Sequence, residues 1–387
     1  MDALDVGRIV VGLVLLVLGG EFLVRGASSL ARRAGISALV VGLTVVSAAT
    51  SAPELAVTIG AVIRDEPGLA VGNVVGSNIV NVLLILGISA LILPIAVKQR
   101  LVRFDLPLMV GLSAGLLLLS LDGSISALDG LLLFSVVVVH TVMTILVSRR
   151  EVKSLHTTPN LHNNPTTADS TKEQAEEKET AVRADSFVRS LLLVLLGVAL
   201  LVAGASLLVD GAVSIASSLG VSSLVVGLTV VAVGTSLPEL ATSIIAVRRG
   251  ERDLAVGNVV GSNIFNIGVV LGLPALISLE GITVATAAVA FDMPVMLAAS
   301  VALLPIAFTG FAVARWEGIL FVGLYLAYTG YVVLAATAHD ALGGFTAAMA
   351  WFVLPLIAVT LISFTSFEVG LHKGRKLNQA GNPNSVP

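Results

Sequence analysis

The sequence predicts an all-α polytopic membrane protein made of two inverted five-helix repeats, ten transmembrane helices in all, plus an extra C-terminal transmembrane helix. Three observations predict it. Of the 387 residues, 56% are hydrophobic and only 12% are charged, with a mean hydropathy of +1.00; a soluble chain of this length needs far more charge to cover its surface. Apolar runs of about 20 residues, the length that crosses a bilayer as a helix, recur from end to end. The pattern of the first five runs is then written a second time. Strands are not expected, because the runs are long, lack alternation, and lipid tolerates only helices or closed barrels. The chain has no cysteine, which excludes disulfides, thiolate metal sites and cysteine nucleophiles together.

The first repeat spans residues 1–148. Its opening run, about Val6 to Val24, has the look of a signal peptide, but the segment around Leu191 to Val209 matches it in mid-chain, so the run is expected to be retained as a helix. A proline-broken helix follows at about 38–63, then runs at about 69–93, 104–120 and 126–148. Residues 149–186 are rich in Thr, Asn, Glu and Lys and read as a disordered cytoplasmic linker. The acidic patch from Glu173 to Glu179 lacks the spacing of a Ca²⁺ loop and reads as part of that linker. The second repeat, 187–336, restarts the pattern at about 187–209, 222–247, 254–278, 287–308 and 313–335. Residues 337–370 hold the additional helix, at about 344–366, and 371–387 form a mobile cytoplasmic tail.

The repetition is literal in places. Gly42-Leu43-Thr44-Val45-Val46 returns as Gly227-Leu228-Thr229-Val230-Val231, and Leu69 to Ile79 returns unchanged as Leu254 to Ile264. Phe104-Asp105-Leu106-Pro107 returns as Phe291-Asp292-Met293-Pro294, and Asp129-Gly130 as Glu317-Gly318. Five crossings per unit is an odd number, so the second unit runs through the membrane in the opposite sense. Inverted repeats of this kind belong to secondary transporters, with the site between the repeats near the bilayer midplane. Lys and Arg set the orientation: with the N-terminus outside, nearly all basic residues, from Arg25 and Arg33 to Arg248, Arg249 and Lys376, fall on the cytoplasmic side, and only Arg8 and Arg64 fall outside. The expected location is the plasma membrane.

The chemistry sits at the two helix breaks, Ala49-Thr50-Ser51-Ala52-Pro53-Glu54 and, 185 positions later, Gly234-Thr235-Ser236-Leu237-Pro238-Glu239. Pro53 has no N–H for the carbonyl of Ala49, nor Pro238 for that of Gly234. A carbonyl without a partner and a carboxylate are both costly in hydrocarbon, and having both twice over calls for a cation. Thr44, Ser47, Ser51 and Thr58 share a face with Glu54. The next helix adds Asn73, Ser77 and Asn81 at i, i+4, i+8, and its copy adds Asn258, Ser262 and Asn266. Such oxygen ligands suit hard cations, Na⁺ and Ca²⁺. A lone proline in a membrane helix is usually a tolerated kink, and Ser, Thr and Asn often join helices; matching glutamates in matching breaks are not explained that way. Asn78 and Asn263, one step off the stripe, read equally well as helix glue or as part of the site. Asp105 and Asp292 read as helix caps, Glu21, Asp129, Asp210 and Glu317 as charges near helix ends, and His140 as a packing residue.

The two blocks resemble the α-repeats of the cation/calcium exchanger superfamily, with their G-T-S-x-P-E and G-S-N-x-x-N/D signatures, and are most similar to its prokaryotic Na⁺/Ca²⁺ exchanger branch. The resemblance covers about the first 335 residues. It implies that Glu54 and Glu239 ligate Ca²⁺, helped by backbone oxygens around Ala49, Thr50, Gly234 and Thr235. It implies Na⁺ sites drawing on Ser51, Ser77, Ser236, Ser262, Asn81 and Asn266. It also implies that the first and sixth helices slide past the rest, a motion that Gly19, Gly20, Gly26, Gly204 and Gly211 would suit. The chain departs from the pattern at Ala49, where the signature has glycine, and at Asn266, where several relatives carry aspartate. Its acidic charge is then two, which matches one Ca²⁺ or two Na⁺, and potassium co-transport is not expected.

The function expected is an antiporter that exports Ca²⁺ using the inward Na⁺ gradient, with no cofactor beyond the transported ions and no nucleic-acid partner. The alternative on the same scaffold is H⁺/Ca²⁺ exchange, since buried glutamates take protons as well as Na⁺. A channel would use the same oxygens without counter-ion dependence. An intramembrane hydrolase is disfavoured because Ser51 and Ser236 have no histidine or lysine beside them to act as base.

Overall fold

The computed structural model describes residues 3–156, 187–219, 232–278, 280–308 and 311–359. It is a helical bundle. Helix α1 (Ala3–Ala34) leads into a broken pair, α2 (Ala38–Thr50) and α3 (Ala52–Ile63), bent by 45°. Next come α4 (Pro67–Ile92), α5 (Leu101–Asp122) and α6 (Ala127–His156). The second half holds α7 (Phe187–Ser218), the short α8 (Ala232–Thr235), α9 (Leu237–Arg248), α10 (Arg252–Ile277), α11 (Ala288–Leu304) and α12 (Arg315–Ala336). Helix α13 (Ala341–Val359) follows. Among the described residues, eight helices are long and apolar enough to cross a membrane, nine if the bent pair is one span. The protein is a multi-pass membrane protein.

Three features depart from the expected layout. Helix α6 continues to His156, beyond the expected end of the span at about 148; the rest of the expected linker, with its acidic patch, lies outside the described residues, as do 222–231 of the second broken helix and the tail. Four two-residue strands occur where none were expected: β1 (Ile95–Ala96), β2 (Ser124–Ile125), β3 (Ile282–Thr283) and β4 (Ala312–Val313). They pair antiparallel as β1 with β4 and β2 with β3. These pairs lie in loops at helix ends, where backbone groups that have left a helix need partners. The helices also contain π-turns, among them Gly42–Val46, Val80–Ile85 and Asn266–Leu271. A π-turn inserts a residue into the helical register and is frequent at functional sites.

Packing sets where the site falls. Helices α4 and α10 are central, with 72% of each apolar window buried, against 28% for α1 and for α7 and none for α13. Helices α1 and α7 cross at glycines: a Cβ at Gly19 would lie 2.8 Å from the Gly197 carbonyl oxygen, and one at Gly197 would lie 2.8 Å from that of Gly19. Such contact lets two long helices touch backbone to backbone, and any larger side chain would force them apart. Helix α2 approaches α10 as closely, with Gly42 against the Leu254 carbonyl and Gly257 against that of Leu39. The first broken helix is thereby held against the central helix α10.

Candidate cation-binding site

The first break is centred on Ser51, whose φ and ψ of −84° and 7° leave the helix for one residue before Pro53 restarts it as the first turn of α3. Ser236 does the same at −91° and 9°, ahead of Pro238. Each break therefore places a serine and, three residues on, a glutamate at the head of a new helix. Glu54 and Glu239 are fully buried.

The two breaks are tied together crosswise. The Ser51 hydroxyl donates to Oε1 of Glu239 at 3.2 Å, and the Ser236 hydroxyl donates to Oε1 of Glu54 at 3.5 Å. The second oxygen of each carboxylate, Oε2, is buried without a hydrogen-bond partner. No salt bridge to either glutamate is found among the described residues. Ser77 and Ser262 on the central helices bury hydroxyls without partners, and Asn81 and Asn266 bury Oδ1 atoms in the same condition. A buried polar atom without a partner costs on the order of 1–3 kcal/mol. Here the orphans come in matched pairs, one from each half: a carboxylate oxygen, a hydroxyl and an amide oxygen.

A chain of asparagine bonds across the two halves holds those amide oxygens free. The Asn81 amide nitrogen donates to Oδ1 of Asn263 at 3.2 Å, and that of Asn266 donates to Oδ1 of Asn78 at 3.1 Å. Asn78 also donates to the Asn263 carbonyl at 3.3 Å. With their N–H₂ groups committed to the opposite half, Asn81 and Asn266 must turn their carbonyl sides elsewhere. Asn78 and Asn263 thus orient their neighbours. Positions 78 and 81, at i and i+3, lie on the same side of α4, and the π-turn Val80–Ile85 begins between them.

Other expected site residues act as supports. Asn73 donates to the Glu54 carbonyl and to the Thr58 hydroxyl, both at 3.0 Å, so it braces α3. Asn258 accepts from the Thr50 hydroxyl at 3.2 Å and donates to Ser243 at 3.2 Å. Ser47 donates to the Gly42 carbonyl at 2.5 Å and the Asn258 carbonyl at 3.2 Å, and Thr44 bonds back to Val40 of its own helix. Ala49, Thr50, Gly234 and Thr235 lie immediately before the two breaks, with Gly234 packed so closely under Val209 of α7 that a Cβ would collide with it.

The cap reading of Asp105 and Asp292 is corrected. Asp105 adopts helical φ and ψ of −77° and −42° and makes no capping bond. It lies 3.2 Å from Nε2 of His140 on α6, while Asp292, its repeat counterpart, accepts from the Tyr328 hydroxyl on α12 at 2.9 Å. The Phe-Asp-x-Pro repeat signalled these positions, but nothing in it pointed across to another helix. Glu21 does not sit near a helix end: it is well inside α1, paired with Arg25 at 3.1 Å and with Arg249 beyond α9. Asp129 and Glu317 do cap, accepting from the backbone N–H of Ser126 at 2.9 Å and of Ala314 at 2.7 Å.

Among the described residues no group of three or more His, Cys, Asp or Glu side chains converges as a metal site. The centre is instead two carboxylates set among neutral oxygens, a composition that suits hard cations, while the nearby sulfurs of Met109 and Met296 accept from Asn263 and Asn78.

Comparison with known proteins gives concordant results. The family model for sodium/calcium exchanger protein matches the chain twice, over residues 4–146 and 189–334. The inner membrane protein YrbG of Escherichia coli is 38% identical over 274 residues, 70% of this chain and 79% of its own. The sodium/calcium exchanger MaX1 of Methanosarcina acetivorans is 33% identical over 344 residues, 83% of this chain and 96% of its own. A solved structure of the sodium-calcium exchanger NCX_Mj, soaked with Na⁺ and Sr²⁺, superposes with a TM-score of 0.68 at 33% identity, covering 84% of this chain and 97% of that one.

Proposed function

The chain belongs to the sodium/calcium exchanger protein family, and on that footing we propose that it is a secondary active antiporter exchanging Na⁺ for Ca²⁺ by alternating access, with Ca²⁺ exported on the Na⁺ gradient. The observation that carries this reading is the crosswise pair: Ser51 on Glu239 and Ser236 on Glu54, enclosing two fully buried carboxylates. Their charge of two is balanced by one Ca²⁺ or by two Na⁺. Occupancy by one species excludes the other, and that exclusion couples the two fluxes.

In this reading Glu54 and Glu239, with backbone oxygens of Ala49, Thr50, Gly234 and Thr235, hold Ca²⁺. Ser51, Ser77, Asn81, Ser236, Ser262 and Asn266 complete the Na⁺ sites. The matched, partnerless oxygens of Ser77 and Ser262 and of Asn81 and Asn266 support this assignment. The halves 1–148 and 187–336 are inverted repeats, the N-terminus is outside, and the linker 149–186 and the tail 371–387 are cytoplasmic in the plasma membrane. The reciprocal seams, β1 with β4 and β2 with β3, fit two halves related in this way.

The deciding experiment is ⁴⁵Ca²⁺ uptake into vesicles holding the reconstituted protein, with an outward Na⁺ gradient or, in sodium-free buffer, a pH gradient. Uptake that follows Na⁺ and is lost in Glu54→Gln and Glu239→Gln is expected. Uptake driven by the pH gradient alone would replace Na⁺ by H⁺ as the counter-ion.

A further inference from the structure

Two methionines stand behind the asparagines of the site, one in each half. Met109 on α5 and Met296 on α11 are buried, each four residues beyond the aspartate of its Phe-Asp-x-Pro repeat. The Asn263 amide nitrogen donates to Sδ of Met109 at 3.4 Å, and the Asn78 amide nitrogen donates to Sδ of Met296 at 3.6 Å. The two helices are joined at this level. Ser113 and Ser300, one turn on, donate to the carbonyls of Met109 and Met296 at 2.9 Å, and their hydroxyls lie 3.3 Å apart.

A thioether sulfur carries lone pairs and no hydrogen, so it accepts a hydrogen bond and never donates one. An asparagine amide has an oxygen on one side and N–H₂ on the other, nearly equal in size, and packing alone does not choose between them. Beside Met109 the choice is made. Asn263 must turn its N–H₂ to the sulfur, which turns its Oδ1 to Asn81. Asn81 then commits its N–H₂ to that oxygen and keeps Oδ1 without a partner for the cation site. Met296, Asn78 and Asn266 repeat the series in the other half. The two series are not equally secured. Asn78 also donates to the Asn263 carbonyl at 3.3 Å, whereas Met109 is the one acceptor of the Asn263 amide found among the described residues.

We propose that Met109 and Met296 are positioning residues of the cation site: their sulfurs fix the sense of two asparagine amides in series, so that Asn81 and Asn266 present oxygen and not N–H₂ to Na⁺. The proposal rests on the reading of Asn81 and Asn266 as Na⁺ ligands. Without the Met109 sulfur, Asn263 is free to turn over; its N–H₂ then opposes that of Asn81, which turns over in its place.

The test is the Na⁺ concentration that displaces half of the ⁴⁵Ca²⁺ bound to the purified full chain. Leucine has nearly the volume of methionine and no acceptor. Met109→Leu is expected to raise that concentration about two- to fivefold, the loss of one hydrogen bond shared over up to two Na⁺. Met296→Leu, in which the Asn263 carbonyl still holds Asn78, is expected to raise it less. In an Asn263→Ala background no amide remains to be turned, so Met109→Leu is expected to add nothing there. Retained ⁴⁵Ca²⁺ binding reports that each variant is folded, and Met296→Leu decides alone if Met109→Leu is not. Displacement by Na⁺ that Met109→Leu leaves as in the wild type overturns the proposal and spares the exchanger reading. A further rise when Met109→Leu is added to Asn263→Ala assigns the sulfur to packing and overturns it too. Absence of displacement by Na⁺ in the wild type overturns the reading and the proposal together.

Discussion

The Ser51 hydroxyl, on the first broken helix, donates to Oε1 of Glu239 on the second at 3.2 Å, and so holds one half's carboxylate from the other half. A single substitution on either side of that bond therefore disturbs a site shared by both halves. Ser51→Ala is expected to weaken Ca²⁺ binding about tenfold, the loss of one hydrogen bond to a charged group. Ser236→Ala, which removes the mirror bond, is expected to do nearly the same. Isothermal titration of the purified variants measures it; wild-type affinity in Ser51→Ala would show that the crosswise bond is incidental.

The asparagine chain yields a less obvious expectation. Asn263 lies outside the proposed ligand set, yet its Oδ1 accepts the amide of Asn81. In Asn263→Ala the Asn81 amide loses its partner and no longer has a fixed orientation, at a cost of about 1–3 kcal/mol. Na⁺-driven ⁴⁵Ca²⁺ uptake in Asn263→Ala is expected to fall as far as in Asn81→Ala. Full uptake in the first with loss in the second would reduce Asn263 to packing.

These residues show how much the sequence discloses. The bundle, the two breaks and the glutamates were legible because proline and a carboxylate in hydrocarbon each have a local physical meaning that needs no partner to interpret. The roles of Asn78 and Asn263 were not, because their bonds run to the facing helix of the other half, to Asn263, Asn266 and Asn81, and spacing along one helix does not say which residue it meets. Glu21 was misread because the apolar run stops at about Val24 while the helix continues through charged residues to Ala34, and its partner Arg249, 228 residues away, is joined to it by no periodicity. Tertiary partners across a seam are set by packing, which a one-dimensional pattern does not encode.

Asp105 and Asp292 hold equivalent places in the two halves but meet different partners, His140 and Tyr328. Tyr328→Phe deletes the hydroxyl that Asp292 accepts from and leaves that carboxylate without it. It is expected to destabilise the protein by about 1–3 kcal/mol while leaving the apparent Ca²⁺ affinity unchanged, because the bond it removes runs to neither crosswise serine nor to Glu54 or Glu239. Thermal unfolding combined with titration separates the two effects. A changed affinity with an unchanged midpoint would place this pair in the ion path.

The Glu21–Arg249 pair joins α1 to the end of α9, and the repeat counterparts of these residues do not reproduce it. Ser206 stands where Glu21 does in the first half and, among the described residues, bonds back to Val202 of its own helix, while Arg64, the counterpart of Arg249, pairs with Glu66 at 3.6 Å. Among the described residues, one end of the α1/α7 pair is thus fastened to the bundle by charge and the other is not. Both partners are about one-third exposed, and such a pair is worth up to about 1 kcal/mol. That is enough to move a two-state access equilibrium roughly fivefold. Because the chain has no cysteine, a single reporter cysteine at Phe22, introduced beside the pair, reads the opening of this end through its rate of modification by a water-soluble maleimide. Glu21→Gln is expected to raise that rate severalfold, while Ser206→Ala leaves it unchanged. An unchanged rate in Glu21→Gln would mean that the glycine seam alone, and not the ion pair, sets how readily this end opens.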